Sequence, residues 1–154
     1  ISYRGPPPRG MKTGFGFVQA KGETAFAPFA VTPDELGDSW ADGRIHLTLN
    51  ITRNGEWFGS PSGSEMHFGF HELIAHAATT RPIKAGTVFG SGTVSNANPE
   101  AGQACIAELR AKELIRHGKP QTPFLSDGET VHMVCHDKQN QPLFGEINQT
   151  VKGG

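Results

Sequence analysis

At 154 residues the chain is the size of one domain, long enough to bury a single core and too short for two. Its 14 basic and 15 acidic residues nearly cancel, which argues against nucleic acid or an anionic membrane surface as partner. Its longest apolar stretches, such as residues 74–78, fall far short of the ~20 residues that cross a bilayer.

Two cysteines, Cys105 and Cys135, are too few for a disulfide framework and read as thiols of a reducing, cytoplasmic compartment. The chain opens on Ile1 without the apolar core of a signal peptide, and it is expected to begin inside a longer protein. Pro6, Pro7 and Pro8 lack backbone donors and place residues 1–13 in a loop. Beyond them, 20 glycines and 11 prolines spread along the length cut the chain into the short elements of a mainly β domain.

Strict alternation of apolar and polar residues predicts a strand over 45–51. Asn54-Gly55 accepts positive φ at low cost and predicts a hairpin into residues 56–59, which Pro61 ends. Phe70, Leu73, Ile74 and Ala77 form a helical stripe that stops before Pro82. Further strands are expected over 87–89 and 104–110, then a short helix over 112–117. Asp127-Gly128 turns the chain into a strand over 130–135, and Pro142 precedes the last strand, 143–151.

His71 and His76 sit five residues apart, which turns a helix by about 500° and leaves the two rings roughly 140° apart, so they do not chelate one ion together. His67 and His71 have the four-residue spacing but no third ligand. Cys135 and His136 are neighbours on a predicted strand and point to opposite faces. All of these read as packing or surface residues. In Gly90-Ser91-Gly92-Thr93 the glycines permit close approach to the backbone and the hydroxyls can bind an oxyanion, although such stretches also serve as plain turns. Glu108, with apolar neighbours in an expected strand, needs a partner or a raised pKa unless that face is exposed. Lys21 closes an apolar run, either as a fixed cation or as a solvated strand end.

The ordered set Ser2-Tyr3-Arg4, Phe15-Gly16-Phe17-Val18-Gln19-Ala20-Lys21, Val31-Thr32-Pro33-Asp34-Glu35-Leu36, Asn54-Gly55, Gly90-Ser91-Gly92-Thr93-Val94-Ser95, Cys105-Ile106-Ala107-Glu108 and Phe124-Leu125-Ser126-Asp127-Gly128-Glu129 resembles bacterial fumarylacetoacetate hydrolase proteins over almost the whole chain. The resemblance implies a mainly β, α+β fold: a mixed β-sheet roll with a few short helices. It also implies that residues 1–154 are the C-terminal portion of one catalytic domain whose upstream part is missing. The implied activity is metal-dependent hydrolysis of a carbon–carbon bond in a β-diketo acid such as fumarylacetoacetate, within tyrosine and aromatic catabolism, by a homodimer using Mg2+ or Ca2+. On the matching positions, Glu108 orients a histidine and water, Arg4 and Lys21 stabilise developing negative charge, and Thr93, with Ser91 and Gly92, contacts substrate. Lys21, through its backbone carbonyl, and Thr24 match positions beside a second, magnesium site.

Two departures accompany the match. The family's metal carboxylates and catalytic histidine fall upstream of Ile1. An oxyanion glutamine of animal members falls near Pro7, leaving Gln19 as a substitute. Acylpyruvate hydrolysis, decarboxylation and isomerisation occur on the same scaffold, and a non-catalytic β-rich module is the reading outside enzymes.

Overall fold

The computed structural model describes residues 12–14, 20 and 22–153. The proline-rich start, Arg4, Gln19 and Lys21 lie outside them.

The first described helix, α1 (Pro33–Leu36), follows Thr32 with proline at its first position, where the missing N–H costs nothing. Two short strands, β1 (Trp40–Ala41) and β2 (Arg44–Ile45), pair antiparallel around Asp42-Gly43, both at positive φ. This is the two-residue turn whose twist suits a hairpin. The same device joins β3 (Leu49–Arg53) to β4 (Glu56–Gly59) at Asn54-Gly55, as the sequence predicts. Two long strands, β5 (Thr130–His136) and β6 (Pro142–Thr150), complete a four-stranded antiparallel sheet in the order β4-β3-β5-β6. Ile51, Val131 and Cys135 are buried on one face of this sheet, and Val134 on the other.

Helix α2 (Phe70–Ala78) is where the apolar stripe puts it. Its first turn is closed by Glu72, whose carboxylate accepts from the Gly69 amide at 2.8 Å. The turn of the β1–β2 hairpin docks on this end. Phe70 N donates to Gly43 O at 2.7 Å, and the His71 ring covers Gly43 and Gly69 so closely that a Cβ at either would collide with it. Helix α3 (Ile106–His117) ends on Gly118, whose left-handed conformation closes the last turn onto Leu114 O. No helix among the described residues is long and apolar enough to cross a membrane.

The α+β class expected from the sequence, with a few short helices, is what the structure shows, and the sheets among the described residues pair antiparallel. Three elements differ from the sequence reading. The strand expected over 45–51 is split between β2 and β3, because its middle changes partners: His46 N donates to Ser39 O, whereas Leu47 and Leu49 bond to Gly63 and Pro61. Residues 87–89 form no strand, and Val88 is 70% exposed. Residues 106–110 are the start of α3 rather than part of a strand. The run Ile106-Ala107-Glu108-Leu109-Arg110-Ala111-Lys112-Glu113-Leu114 consists almost wholly of strong helix formers, and propensity summed over that window outweighs a local resemblance to alternation.

Arg53 closes the end of β3 on Glu129, Nε to Oε1 at 2.9 Å and Nη2 to Oε2 at 3.0 Å, while Asn54 donates to the same carboxylate at 2.9 Å. The Ser126 amide and this guanidinium hold the Glu129 carboxyl below its ordinary 4.5 despite the upward pull of desolvation. A depressed folded pKa stabilises the fold above 4.5 and loses that contribution as pH falls through the folded value. Glu129→Gln is therefore expected to lower the melting temperature at neutral pH and to flatten its fall in acid, as thermal denaturation across pH will read. Gly59 sits against the backbone of Gln103, where an added Cβ would strike the carbonyl oxygen. Gly59→Ala is expected to destabilise by about 1–3 kcal/mol, seen as a lower urea midpoint at unchanged slope.

Candidate active site

The segment carrying Ser91, Gly92 and Thr93 has no regular structure and makes no strand pairing. Gly92 lies at φ +72°, a conformation that favours glycine. Three consecutive residues fix the downstream end of this loop, one to α3 and two to the 62–65 segment. Ser95 Oγ donates to Glu108 Oε1 at 2.6 Å on α3. The Asn96 side chain pairs with both backbone groups of Ser62, accepting from its N–H at 2.8 Å and donating to its C=O at 3.2 Å. The Ala97 amide donates to Glu65 Oε2 at 2.6 Å.

Between this loop and the Glu65–Phe68 segment lies a cleft of about 310 Å³, closed at one side by Leu73 of α2. Ser91, Thr93 and Ser95 line one wall; Met66, His67 and Phe68 line the other. Arg44 holds the second wall in place by donating to three carbonyls, Met66 O, His67 O and Asp42 O, each at 2.8 Å. A guanidinium can span three acceptors in this way because its donors are rigidly splayed in one plane. The His67 ring meets Phe68 edge-on at 4.6 Å. His71, by contrast, packs on Gly43 and Gly69, so the two histidines serve different surroundings. A somewhat larger cleft of about 370 Å³ lies between the α1 end and the β5–β6 turn, and none of the candidate catalytic, substrate-binding or metal residues lines it.

Glu108 does not line the cleft itself; Ser95 links it to the wall. It stands in the first turn of α3, where the helix dipole favours a negative charge. Lys112, one turn on, places Nζ 2.7 Å from Glu108 Oε1 and donates to Gln103 Oε1 at 3.1 Å. Partial burial pushes the Glu108 carboxyl up, but hydrogen bonds from Lys112 and Ser95 and the Lys112 charge together hold it below its ordinary value. The group is ionised at neutral pH and acts as an acceptor.

The structure thus brings together Ser91 and Thr93 on the cleft and Glu108 behind it, while Gly92, between the two, does not line the cleft. Thr24 is described, exposed, and not part of the cleft wall. Arg4 and Lys21 fall outside the described residues. Ser95, Lys112 and Gln103 were not singled out from the sequence, although Glu108 and Lys112 stand at helical i,i+4 spacing and would have signalled an ion pair had α3 been read as a helix. Both cysteines are free, Cys135 buried and Cys105 half-buried. Among the described residues no three His, Cys, Asp or Glu side chains converge to hold a metal ion. These residues alone do not fit a divalent cation.

No curated protein sequence matches the chain closely enough to count as a relative. The family description that does match, fumarylacetoacetate (FAA) hydrolase C-terminal, spans residues 4–152 and so takes in the hydroxyl loop, Glu108 and the whole described sheet. With nearly the entire length accounted for, the chain belongs to the fumarylacetoacetate hydrolase family.

Proposed function

We propose that this chain is the C-terminal portion of an enzyme that hydrolyses a carbon–carbon bond in a β-diketo acid such as fumarylacetoacetate, giving fumarate and acetoacetate. The observation that carries the reading is an ionised Glu108 tied by Ser95 to a cleft lined in part by Ser91 and Thr93, and the resemblance matches Glu108 to the family's orienting glutamate. In such a hydrolysis the oxygen of water bonds to the acyl carbon. The adjacent carbon–carbon bond breaks with its electron pair on the departing carbon, which then takes a proton. Glu108 accepts a hydrogen bond from the imidazole that receives the proton of water, stabilising its charged form. The Thr93 hydroxyl donates to a substrate oxygen, and Ser91 Oγ, whose hydrogen goes to Gly92 O at 2.8 Å, contacts substrate as an acceptor. Arg4 and Lys21 supply cations for the developing carbanion, and loss of one such donor typically costs about 3–4 kcal/mol in the transition state.

The histidine and the carboxylates for Mg2+ or Ca2+ belong, in this reading, to sequence upstream of Ile1, with Lys21 and Thr24 beside a second magnesium. A homodimer is the proposed assembly, and exposed Phe29, Leu114 and Ile115 suit a covered surface. The cytoplasm is the proposed location, in keeping with two unpaired thiols. Acylpyruvate hydrolysis, decarboxylation or isomerisation would use the same cleft.

With the full-length protein and magnesium, the diketo absorbance of fumarylacetoacetate is expected to fall while fumarate and acetoacetate appear together. Glu108→Gln is expected to lower kcat/KM by about 10²–10⁴-fold with an unchanged circular dichroism spectrum. Turnover of acylpyruvate alone would transfer the reading to that reaction. A Glu108→Gln protein of full activity would remove Glu108 from the site.

A further inference from the structure

We infer that Lys112 and Ser95 are positioning residues: they occupy Glu108 Oε1 and leave Oε2 as the oxygen that faces the reaction. The inference rests on the functional reading of Glu108 given above, and it adds which atom acts and what holds it.

Both donors that reach this carboxylate among the described residues end on one oxygen. Ser95 Oγ is 2.6 Å from Oε1 and Lys112 Nζ is 2.7 Å from the same atom. A carboxylate oxygen has two lone-pair sites, so Oε1 is filled by these two donors. Among the described residues no hydrogen bond ends on Oε2, which keeps its full acceptor capacity. The two donors come from different parts of the chain, one from the loop and one from α3. Together they fix the carboxylate plane instead of letting it rotate.

Lys112 is itself tethered. Its second contact, to Gln103 Oε1 at 3.1 Å, ties it to a residue whose amide donates to Phe58 O of β4 at 3.1 Å. The position of Glu108 is thereby referred to the four-stranded sheet rather than to the helix alone. Lys112 is 37% exposed and Glu108 26% exposed, so the pair is partly shielded and screened less than a surface pair. The charged and titratable groups nearby are few. Lys112 faces Glu108 from α3, residues 91–97 bring no charge, and the opposite cleft wall carries Glu65 and His67. Among the described residues of this set Lys112 is the one permanent cation, and its removal leaves the Ser95 hydrogen bond alone against partial burial, which favours the neutral acid.

The test follows the ionisation of Glu108 by carboxyl carbon-13 NMR in full-length protein labelled at glutamate, with the signal assigned by its loss in Glu108→Gln. Lys112→Met is expected to move the Glu108 titration upward, to or beyond the ordinary 4.5, and Lys112→Arg to restore it. Ser95→Ala, which leaves α3 intact, is expected to move it in the same direction. The acid limb of kcat/KM should shift upward with the titration, a response that a merely structural role would not give. An unmoved titration in folded Lys112→Met and Ser95→Ala overturns the inference. Full activity in Glu108→Gln would instead strike the functional reading, and the NMR titration separates the two failures.

Discussion

The candidate site depends on how residues 95–97 are pinned. A loop without regular structure has no ladder to fix it, and the free energy of ordering it must come from side chains. Here Ser95, Asn96 and Ala97 reach α3, Ser62 and Glu65 in turn, so three consecutive residues tie the loop to α3 and to the short helical turn at 62–65. The Asn96 amide imitates a strand partner by satisfying both backbone groups of Ser62. With its downstream end held in this way, the loop presents Ser91 and Thr93 to the cleft, and the same Ser95 that anchors it also reaches the carboxylate.

The sheet supplies the frame to which these ties refer. Gly59 and Gly102 let β4 approach the 102–103 segment more closely than any side chain would permit, and this approach sets Gln103 beside Lys112. On the other wall, Arg44 collects three carbonyls from the β1–β2 turn and the Met66–His67 segment, making one rigid surface out of two irregular stretches. Glycine at close contacts and arginine across carbonyls do complementary work. One removes bulk, and the other replaces missing ladder bonds.

The legible parts of the sequence were those where one local signal decides the outcome. Asn54-Gly55 specifies its hairpin through positive φ, the 70–77 stripe specifies α2, and alternation with Asp127-Gly128 specifies β5 and β6. Two failures have different causes, a change of partner in one and an ambiguous period in the other. In 45–51 the alternation is real but the chain changes partners midway, and partner choice is a tertiary fact. In 104–110 a helix was taken for a strand, which hid Lys112 from Glu108 and with it the electrostatic reason that the carboxylate stays ionised. Glu108, Ser91 and Thr93 were nominated through resemblance rather than spacing. Ser95 belongs to the Gly90–Ser95 motif, yet only the folded chain reveals that it joins the loop to the acid.

The central claim is that loop and acid form one unit through Ser95 and Glu108. A double-mutant cycle on urea-induced unfolding of the full-length protein, combining Ser95→Ala with Glu108→Gln, tests it directly. The account predicts that the double variant loses less stability than the sum of the two single losses, with a coupling of at least about 0.5 kcal/mol. Losses that add with no coupling would mean that the two residues act independently, and the loop would then have no energetic link to the carboxylate.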